Sequence, residues 1–313
     1  FKLSELENLA TVVDLDVKSE KIGLEYLTNT EQIDFTNGKN FQINRIVEYI
    51  NEGLTKLDTV RVPFQKHLQE KMDWWTKKSG KNFEVSIGRS GAKGIQVLEF
   101  NNETTPHALL VGIPGSGKSN LLHTFITDCI TTYHPDSIEL YLIDFKGGVE
   151  FNLYAEKRIP HARTIAIESE REFGLSVIEG LEKELLTRET LFRDKKATTL
   201  EEFNQKHPDD RMPRIILIVD EFQEFFTEED SIKSKAENIF DRIVRKGRAF
   251  GINVLLATQS LAGISLPRST KDLIAIRIAL MCADNDSRLI LADDNSAAKY
   301  LTRPGEGIYN SAS

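Results

Sequence analysis

The chain reads Gly112-Ile113-Pro114-Gly115-Ser116-Gly117-Lys118-Ser119, a match to the phosphate-loop pattern G-x-x-x-x-G-K-[ST]. Glycines in such a loop let backbone N–H groups turn towards a phosphate, and the helix that follows presents its positive amino end to the same group. We predict that these eight residues, together with Asn120, bind ATP. Lys118 would contact the β- and γ-phosphates, and Ser119 would be a ligand of Mg²⁺.

The residues on either side of the loop support this prediction. The apolar run 107–111 precedes it and is typical of a buried strand, and a helical pattern of apolar residues follows from Lys118, at Leu121, Leu122, Phe125 and Ile126. A strand, a glycine-rich loop and a helix in this order are the context that a phosphate loop requires.

The same alternation of apolar runs and amphipathic stretches continues to the end of the chain. We predict strands at 107–111, 138–143, 162–167, 215–219, 253–257 and 274–281. Nearly continuous apolar strands between helices indicate an α/β fold with a mostly parallel sheet covered by helices on both faces. Two earlier strands, 83–87 and 95–100, are separated by glycines and predict a hairpin.

Before the hairpin the pattern differs. Ile43, Val47 and Ile50, and then Phe64, Leu68 and Met72, recur at helical spacing, and Ser79-Gly80 breaks the pattern. We therefore predict a helical leader over residues 1–78 and a nucleotide-binding domain over residues 79–313.

Composition bounds the class of protein. The chain has 313 residues, 40% of them apolar, and a formal charge of −8. These values exclude a wholly disordered chain, a collagen-like repeat and a small disulfide scaffold, while the acidic balance by itself counts against nucleic acid. No run approaches the length of a membrane span, and the cysteines, Cys129 and Cys282, read as buried reduced thiols. We expect a cytoplasmic protein; because the chain begins at Phe1, an upstream membrane anchor in a longer protein stays open.

Two carboxylates follow the strand 215–219. In parallel α/β sheets ligands bind at the carboxyl ends of the strands, so Asp220 and Glu221 would face the phosphate loop. We predict that Asp220 binds Mg²⁺ and that Glu221 is the general base that orients and deprotonates the attacking water. Gln259, just after the strand 253–257, would hydrogen-bond the γ-phosphate or the water.

Strand 138–143 ends in Asp144-Phe145-Lys146-Gly147-Gly148. A carboxylate, an ammonium and two glycines at this edge fit either a functional turn or an exposed turn closed by glycines. The local sequence leaves both interpretations open.

Six motifs in order resemble the FtsK/SpoIIIE family of ring-forming P-loop ATPases. They are GIPGSGKS, LYLIDFKGGVEF, the strand ending in Asp220-Glu221, KGRAFGI running into LLATQ, DSRLIL, and RPGEGIY. The resemblance covers about residues 83–310. It implies a RecA-like core, a homo-oligomeric hexameric ring, and movement of a polymer through the ring.

A ring ATPase also needs an arginine from the neighbouring subunit to stabilise the transferring phosphoryl group. Arg277, within an apolar strand where family members place an arginine, and Arg188, on the apolar stripe of a long helix, are our leading candidates. Arg245 and Arg248 rank below them because they lie on a basic helix face.

Three functions remain in competition. The family favours an ATP-driven translocase of double-stranded DNA, which is our leading prediction. The DFKGG form looks more like the branch that powers type VII protein secretion, and Ser260-Leu261 departs from the Arg-Pro that the DNA pumps typically have. An ATPase that moves or remodels protein is therefore the first alternative. An ATP-dependent scaffold without steady hydrolysis is the second.

Overall fold

The computed structural model describes residues 12–16, 21–26, 29–34, 74–91, 94–101, 104–167, 170–264 and 268–311. The chain divides into two compact units, 1–58 and 59–313. Among the described residues, no helix combines the length and the apolar composition needed to cross a lipid bilayer.

The first unit contains an antiparallel sheet. Its strands lie in the order β1-β2-β3, with the bounds β1 Val12–Asp16, β2 Lys21–Tyr26 and β3 Asn29–Asp34. The prediction of a helical leader is therefore wrong for this stretch. The physical reason is a two-residue period, in which apolar Ile22, Leu24 and Tyr26 alternate with Lys21, Gly23 and Glu25. The helical patterns predicted between residues 43 and 72 lie outside the described residues.

The boundary between units also differs from the predicted one after residue 78. Residues 74–77 are attached to the second unit: Trp75 N donates to Thr131 O at 3.0 Å, and Lys77 N donates to Thr132 O at 3.3 Å. Trp75 Nε1 donates to Ile130 O at 2.9 Å. These bonds satisfy carbonyls at the end of the helix that follows the phosphate loop.

The predicted hairpin is confirmed. Its strands, β4 Asn82–Ser90 and β5 Gly94–Asn101, are antiparallel. Within the second unit, Tyr133 holds the hairpin in place: its hydroxyl accepts a hydrogen bond from Glu84 N at 3.0 Å and donates one to Glu84 O at 2.8 Å.

A seven-stranded sheet forms the centre of the second unit. Its strands are β6 His107–Val111, β7 Ile138–Asp144, β8 Ala162–Ala166, β9 Arg214–Asp220, β10 Ile252–Thr258, β11 Ile276–Leu280 and β12 Gly307–Ser311. They lie in the order β12-β11-β6-β10-β9-β7-β8. The six strands β6 to β11 all pair in parallel with their neighbours among themselves, as predicted. Strand β12, which was not predicted, forms one edge of the sheet and is antiparallel to β11.

Helices cover both faces of this sheet. They are α1 Lys118–Thr132, α2 Asn152–Lys157, α3 Arg171–Asp194, α4 Leu200–Lys206, α5 Ser231–Lys246, α6 Arg268–Leu273 and α7 Asp284–Ile290. Alternate residues of β9 serve the two faces: Leu217 packs in the cluster that contains α3 and α5, whereas Ile218 packs in the cluster that contains α1 and the hairpin. The prediction of a parallel sheet between helical layers is confirmed.

Candidate nucleotide-binding and hydrolytic site

The candidate site lies where four neighbouring strands end. Strands β6, β10, β9 and β7 are adjacent and parallel, so the residues that follow them meet at one edge of the sheet. The phosphate loop follows β6, Gln259 follows β10, Glu221 follows β9, and the turn containing Lys146 follows β7. The sheet order therefore brings together motifs that lie far apart in the sequence.

The loop has the geometry of an anion cradle. Gly117 has a φ of 100°, a conformation that glycine adopts without strain. A Cβ atom at this position would lie only 3.0 Å from Gly305 N, which itself donates to Ser116 O at 2.8 Å. Helix α1 begins directly after it with no side-chain cap and no acidic residue in its first turn. An anion can therefore bind the unpaired amino end of the helix.

Lys118 lies between the two predicted catalytic carboxylates. Its ammonium contacts Asp220 and lies 2.9 Å from Glu221 Oε1. Only 5% of the Lys118 side chain is exposed, so these charges interact with little screening by water. A phosphate bound in the cradle would compete with the carboxylates for the same ammonium.

Asp220 fits the predicted role of metal ligand. The residue is fully buried, and its Oδ2 has no hydrogen-bond partner among the described residues. Burial raises the pKa of Asp220 above its ordinary value, against the opposing charge of Lys118. A buried carboxylate oxygen with unused acceptor capacity and the hydroxyl of Ser119 are oxygen ligands of the kind that Mg²⁺ prefers, so these two residues would hold the ion.

Glu221 is held by a set of donors. Its φ is 55°, in the left-handed region, and the residue is 2% exposed. Oε1 lies 2.9 Å from Lys118 Nζ, 2.8 Å from Lys146 Nζ and 2.6 Å from Gln259 Nε2. Burial acts to raise the pKa of Glu221, but the hydrogen bonds from Lys146 and Gln259 and the charge of Lys118 outweigh it and lower the pKa to about 2. Glu221 is thus a fixed, ionised carboxylate.

Gln259 lies beside the predicted base. Besides the side-chain bond, its backbone N–H donates to Glu221 Oε2 at 3.2 Å. The structure therefore brings four predicted residues into one contact group: Lys118, Asp220, Glu221 and Gln259.

Ser119 has a partner that the sequence prediction missed. Its Oγ donates to Glu150 Oε1 at 2.7 Å, and the other carboxylate oxygen of Glu150 lies 3.4 Å from His123 Nε2. Glu150 follows the glycines of the turn after β7, and its place in the motif LYLIDFKGGVEF was the available indication of a role.

The turn after β7 contacts the candidate site, which favours the first of its two sequence interpretations. Lys146 reaches Glu221, whereas Asp144 is fully buried and accepts backbone N–H groups of the turn. The turn is thus more than an exposed connection.

The two leading arginine candidates have intramolecular partners. Arg188 is 1% exposed; its Nε donates to Glu184 at 2.8 Å, and its Nη1 donates to the carbonyls of Pro213 and Phe250, both at 2.9 Å. These carbonyls precede β9 and β10, so Arg188 lies at the amino edge of the sheet. Burial and these bonds hold the guanidinium inside this chain, which favours an internal role for Arg188 over the predicted contact with a neighbouring subunit.

Arg277, on β11, is half-buried and faces backbone carbonyls rather than a carboxylate. It donates to Lys271 O at 3.1 Å, to Ile290 O at 3.3 Å and to Ile274 O at 3.4 Å. Of the lower-ranked candidates, Arg245 forms an ion pair with Asp241 on its own helix at 2.8 Å.

The fold and this contact group define a P-loop ATPase domain, and comparison with known proteins identifies the family. A sequence model of the FtsK/SpoIIIE family matches residues 66–263. The chain belongs to the FtsK/SpoIIIE family, as the resemblance of its motifs implied.

The similar proteins include bacterial secretion proteins. The chain is 31% identical to the ESX secretion system protein YukB of Bacillus subtilis over 86% of its own length and 18% of that protein's. It is 30% identical to the ESX secretion system protein EccC of Geobacillus thermodenitrificans over 82% of its length and 17% of that protein's. The chain thus spans less than a fifth of these relatives.

Solved structures agree on the RecA-like fold. The cytoplasmic domain of the type VII secretion ATPase EccC of Thermomonospora curvata matches 81% of this chain and 30% of that one, with a TM-score of 0.67 and 27% identity. The pCW3 conjugation coupling protein TcpA, solved with ATPγS, matches 98% of this chain and 90% of that one, with a TM-score of 0.63. At 21% identity, the second match supports the fold alone.

Proposed function

We propose that this chain is an ATP-hydrolysing motor domain that moves or remodels protein, working as one subunit of a homo-oligomeric ring. The observation that carries the hydrolytic part is the contact group of Lys118, Asp220, Glu221 and Gln259 at the carboxyl edge of the sheet. These residues supply the cation, the metal ligand, the base and the polar amide that hydrolysis of a phosphoanhydride requires.

The proposed chemistry follows from the contacts. Lys118 binds the β- and γ-phosphates and neutralises the charge that develops on them. Glu221 orients the attacking water and accepts its proton, and Gln259 fixes the side chain of Glu221 while lying within reach of the water. Ser119 and Asp220 would hold Mg²⁺, which supplies further neutralisation of phosphate charge when bound.

The protein substrate rests on the relatives. YukB and both EccC proteins are named as secretion proteins or secretion ATPases, and the first of these matches over 86% of this chain. Our leading prediction from sequence, double-stranded DNA, has no such support at comparable identity, and we replace it with the protein alternative. We propose a cytoplasmic location, because the EccC structure is described as a cytoplasmic domain.

A scaffold without hydrolysis is less consistent with the site. Such a protein needs to bind ATP but has no use for a base, whereas Glu221 is present and is bonded by the side chains of Lys118, Lys146, Gln259 and Gln223.

The test is ATP turnover by the oligomeric protein, with Lys118→Ala as the blank, in the presence and absence of long duplex DNA. We expect turnover above the blank that DNA leaves unchanged. Salt-sensitive stimulation by DNA would favour the DNA translocase instead, and ATP binding without turnover above the blank would favour the scaffold. Glu221→Gln should bind ATP and fail to hydrolyse it; hydrolysis at the normal rate would exclude Glu221 as the base.

A further inference from the structure

We infer that Lys146, in the turn after β7, is a positioning residue that holds Glu221 in its catalytic orientation. This inference rests on the proposed ATP hydrolysis. Its basis is the ion pair between Lys146 Nζ and Glu221 Oε1 at 2.8 Å, which joins two neighbouring strand ends.

Strand register brings these residues together. Asp144 is paired with Asp220 where β7 and β9 end side by side. Lys146 lies two residues after Asp144, and Glu221 lies one residue after Asp220. The lysine therefore approaches the carboxylate from the neighbouring strand, on a different element from Lys118 and Gln259.

Hydrogen bonds to the Asp144 side chain restrain the backbone of the turn that contains Lys146. Asp144 Oδ1 accepts Lys146 N at 2.9 Å, and Asp144 Oδ2 accepts Glu150 N at 2.9 Å and Phe151 N at 3.3 Å. Gly148 has a φ of 76°, and a Cβ atom there would lie 2.8 Å from Ile167 Cβ. A lysine on a fixed turn loses less freedom in reaching its partner than a lysine on a mobile surface loop, so it can restrain that partner.

The three donors to Glu221 Oε1 differ in charge and in the other groups that they contact. Lys118 also contacts Asp220 and is the residue that a phosphate would attract. Gln259 carries no charge. Within the described part of the chain, the ion pair of Lys146 is with Glu221, so Lys146 can continue to hold the carboxylate when Lys118 binds phosphate.

The ion pair differs from an ordinary surface salt bridge. Exposed pairs contribute little because water screens them and both side chains are mobile. Here the Lys146 side chain is 35% exposed, but the Glu221 side chain is only 3% exposed. Loss of the lysine would thus act mainly on the orientation of one buried carboxylate.

The experiment compares Lys146→Met and Lys146→Arg with wild type, with Lys118→Ala as the blank and Lys157→Met, at the exposed end of α2, as the matched control. We measure kcat and KM for ATP, the affinity for a fluorescent ATP analogue, and the melting temperature. For K146M we expect kcat to fall about 10- to 100-fold, the size of effect that misplacing a catalytic group by about 1 Å produces. KM and analogue affinity should change less than about threefold, and K146R should recover part of the lost kcat.

Each outcome has a defined meaning. An active wild type with unchanged kcat in K146M would overturn the inference and leave the proposed hydrolysis intact. A large loss of analogue affinity in K146M would also overturn it, because Lys146 would then act on the nucleotide. If the melting temperature of K146M is well below that of wild type, the inference is tested on K146R instead. A normally folded K146R with no more activity than the Lys118→Ala blank would contradict positioning of Glu221 by the charge at residue 146. Wild-type turnover no higher than the Lys118→Ala blank would overturn both proposals.

Discussion

The hydroxyl of Ser119 donates a hydrogen bond to Glu150, with 2.7 Å between Oγ and Oε1. Ser119 is the second residue of α1, and Glu150 lies on the turn after β7, so the bond joins the start of α1 to the end of a strand that β10 and β9 separate from β6 in the sheet. A hydroxyl that donates its proton to a carboxylate directs its lone pairs elsewhere, as a metal ligand requires. We therefore predict that Glu150 orients Ser119 in the way that outer partners orient metal-binding side chains.

Glu150→Ala should weaken the response to magnesium. We expect the Mg²⁺ concentration for half-maximal ATP turnover to rise about tenfold, in line with the effect of removing an outer partner of a metal ligand. Affinity for a fluorescent ATP analogue in the absence of Mg²⁺ should stay close to wild type. Glu156→Ala, an exposed carboxylate on α2, is the matched control. Superimposable Mg²⁺ titrations of E150A and wild type would show that Glu150 does not act on Ser119.

Arg188→Met should destabilise the protein without removing a catalytic group. The substitution leaves the carbonyls of Pro213 and Phe250 without their donor, and a partly buried polar group that loses its partner costs about 1 to 3 kcal/mol of unfolding free energy. Urea unfolding measures the loss, and turnover per folded subunit should match wild type at low temperature. Arg193→Met, at an exposed position on the same helix, is the control. Unchanged stability with lost turnover would restore Arg188 as a candidate finger.

Arg277 remains our prediction for the arginine that acts on a neighbouring subunit. Arg277→Ala should retain ATP binding and lose turnover by about a thousandfold, the lower end of the range for such arginines. Mixing R277A with Lys118→Ala should recover turnover, because a ring containing both has intact ATP sites beside intact arginines. If both variants fold and oligomerise but mixtures stay inactive, Arg277 does not act between subunits.

His107 should make stability depend on pH. Its ring is fully buried between Val244 O, 3.0 Å from Nε2, and Val254 N, 3.2 Å from Nδ1. Burial lowers the pKa to about 4, opposed by the bond to Val244 and assisted by the charge of Arg248. Because the folded-state pKa lies below the unfolded value, this stabilisation is complete above about pH 6.5 and is lost as the pH falls through about 4.

Between about pH 7.5 and about pH 5, His107 should account for a loss of about 2 kcal/mol of unfolding free energy. Urea unfolding of wild type and His107→Gln at both pH values measures this contribution. The variant should be less stable at the higher pH, and its own loss between the two values should be smaller by about that amount. Equal losses would show that His107 is not the group responsible.

The fold of the second unit was predictable because its signals are local. The strand before the phosphate loop and the strand before Asp220 are continuous apolar runs, and both lie where predicted. Strand β12 escaped prediction because Gly307–Ser311 has no strong apolar period, and its pairing with β11 supplies what the local sequence lacks. The first sheet differs from the prediction for another reason, since the helical spacing of apolar residues between 43 and 72 does not continue into the neighbouring stretch 21–26, which alternates with period two.

At the site, the sequence predicted residues that belong to motifs but not the contacts between motifs. Lys118 and Glu221 could be named because each stands in a recognisable pattern at a strand end. Glu150 could not, because its role depends on the reach of one side chain across to α1. Arg188 shows the opposite case: an arginine on an apolar stripe can point outward or pair internally, and the partners that favour internal pairing, the carbonyls of Pro213 and Phe250, are distant in sequence.

The bond from Gly305 N to Ser116 O has a consequence for synthesis of the chain. Ser116 is made early and Gly305 among the last residues before β12, so a ribosome must nearly finish this domain before the phosphate cradle can close. A nascent chain carrying only the first half of the domain contains the whole phosphate loop yet lacks Asp220, Glu221, Gln259 and the backbone that braces Gly117. The cradle and the contact group beside it are therefore complete only after Gly305 has been synthesised.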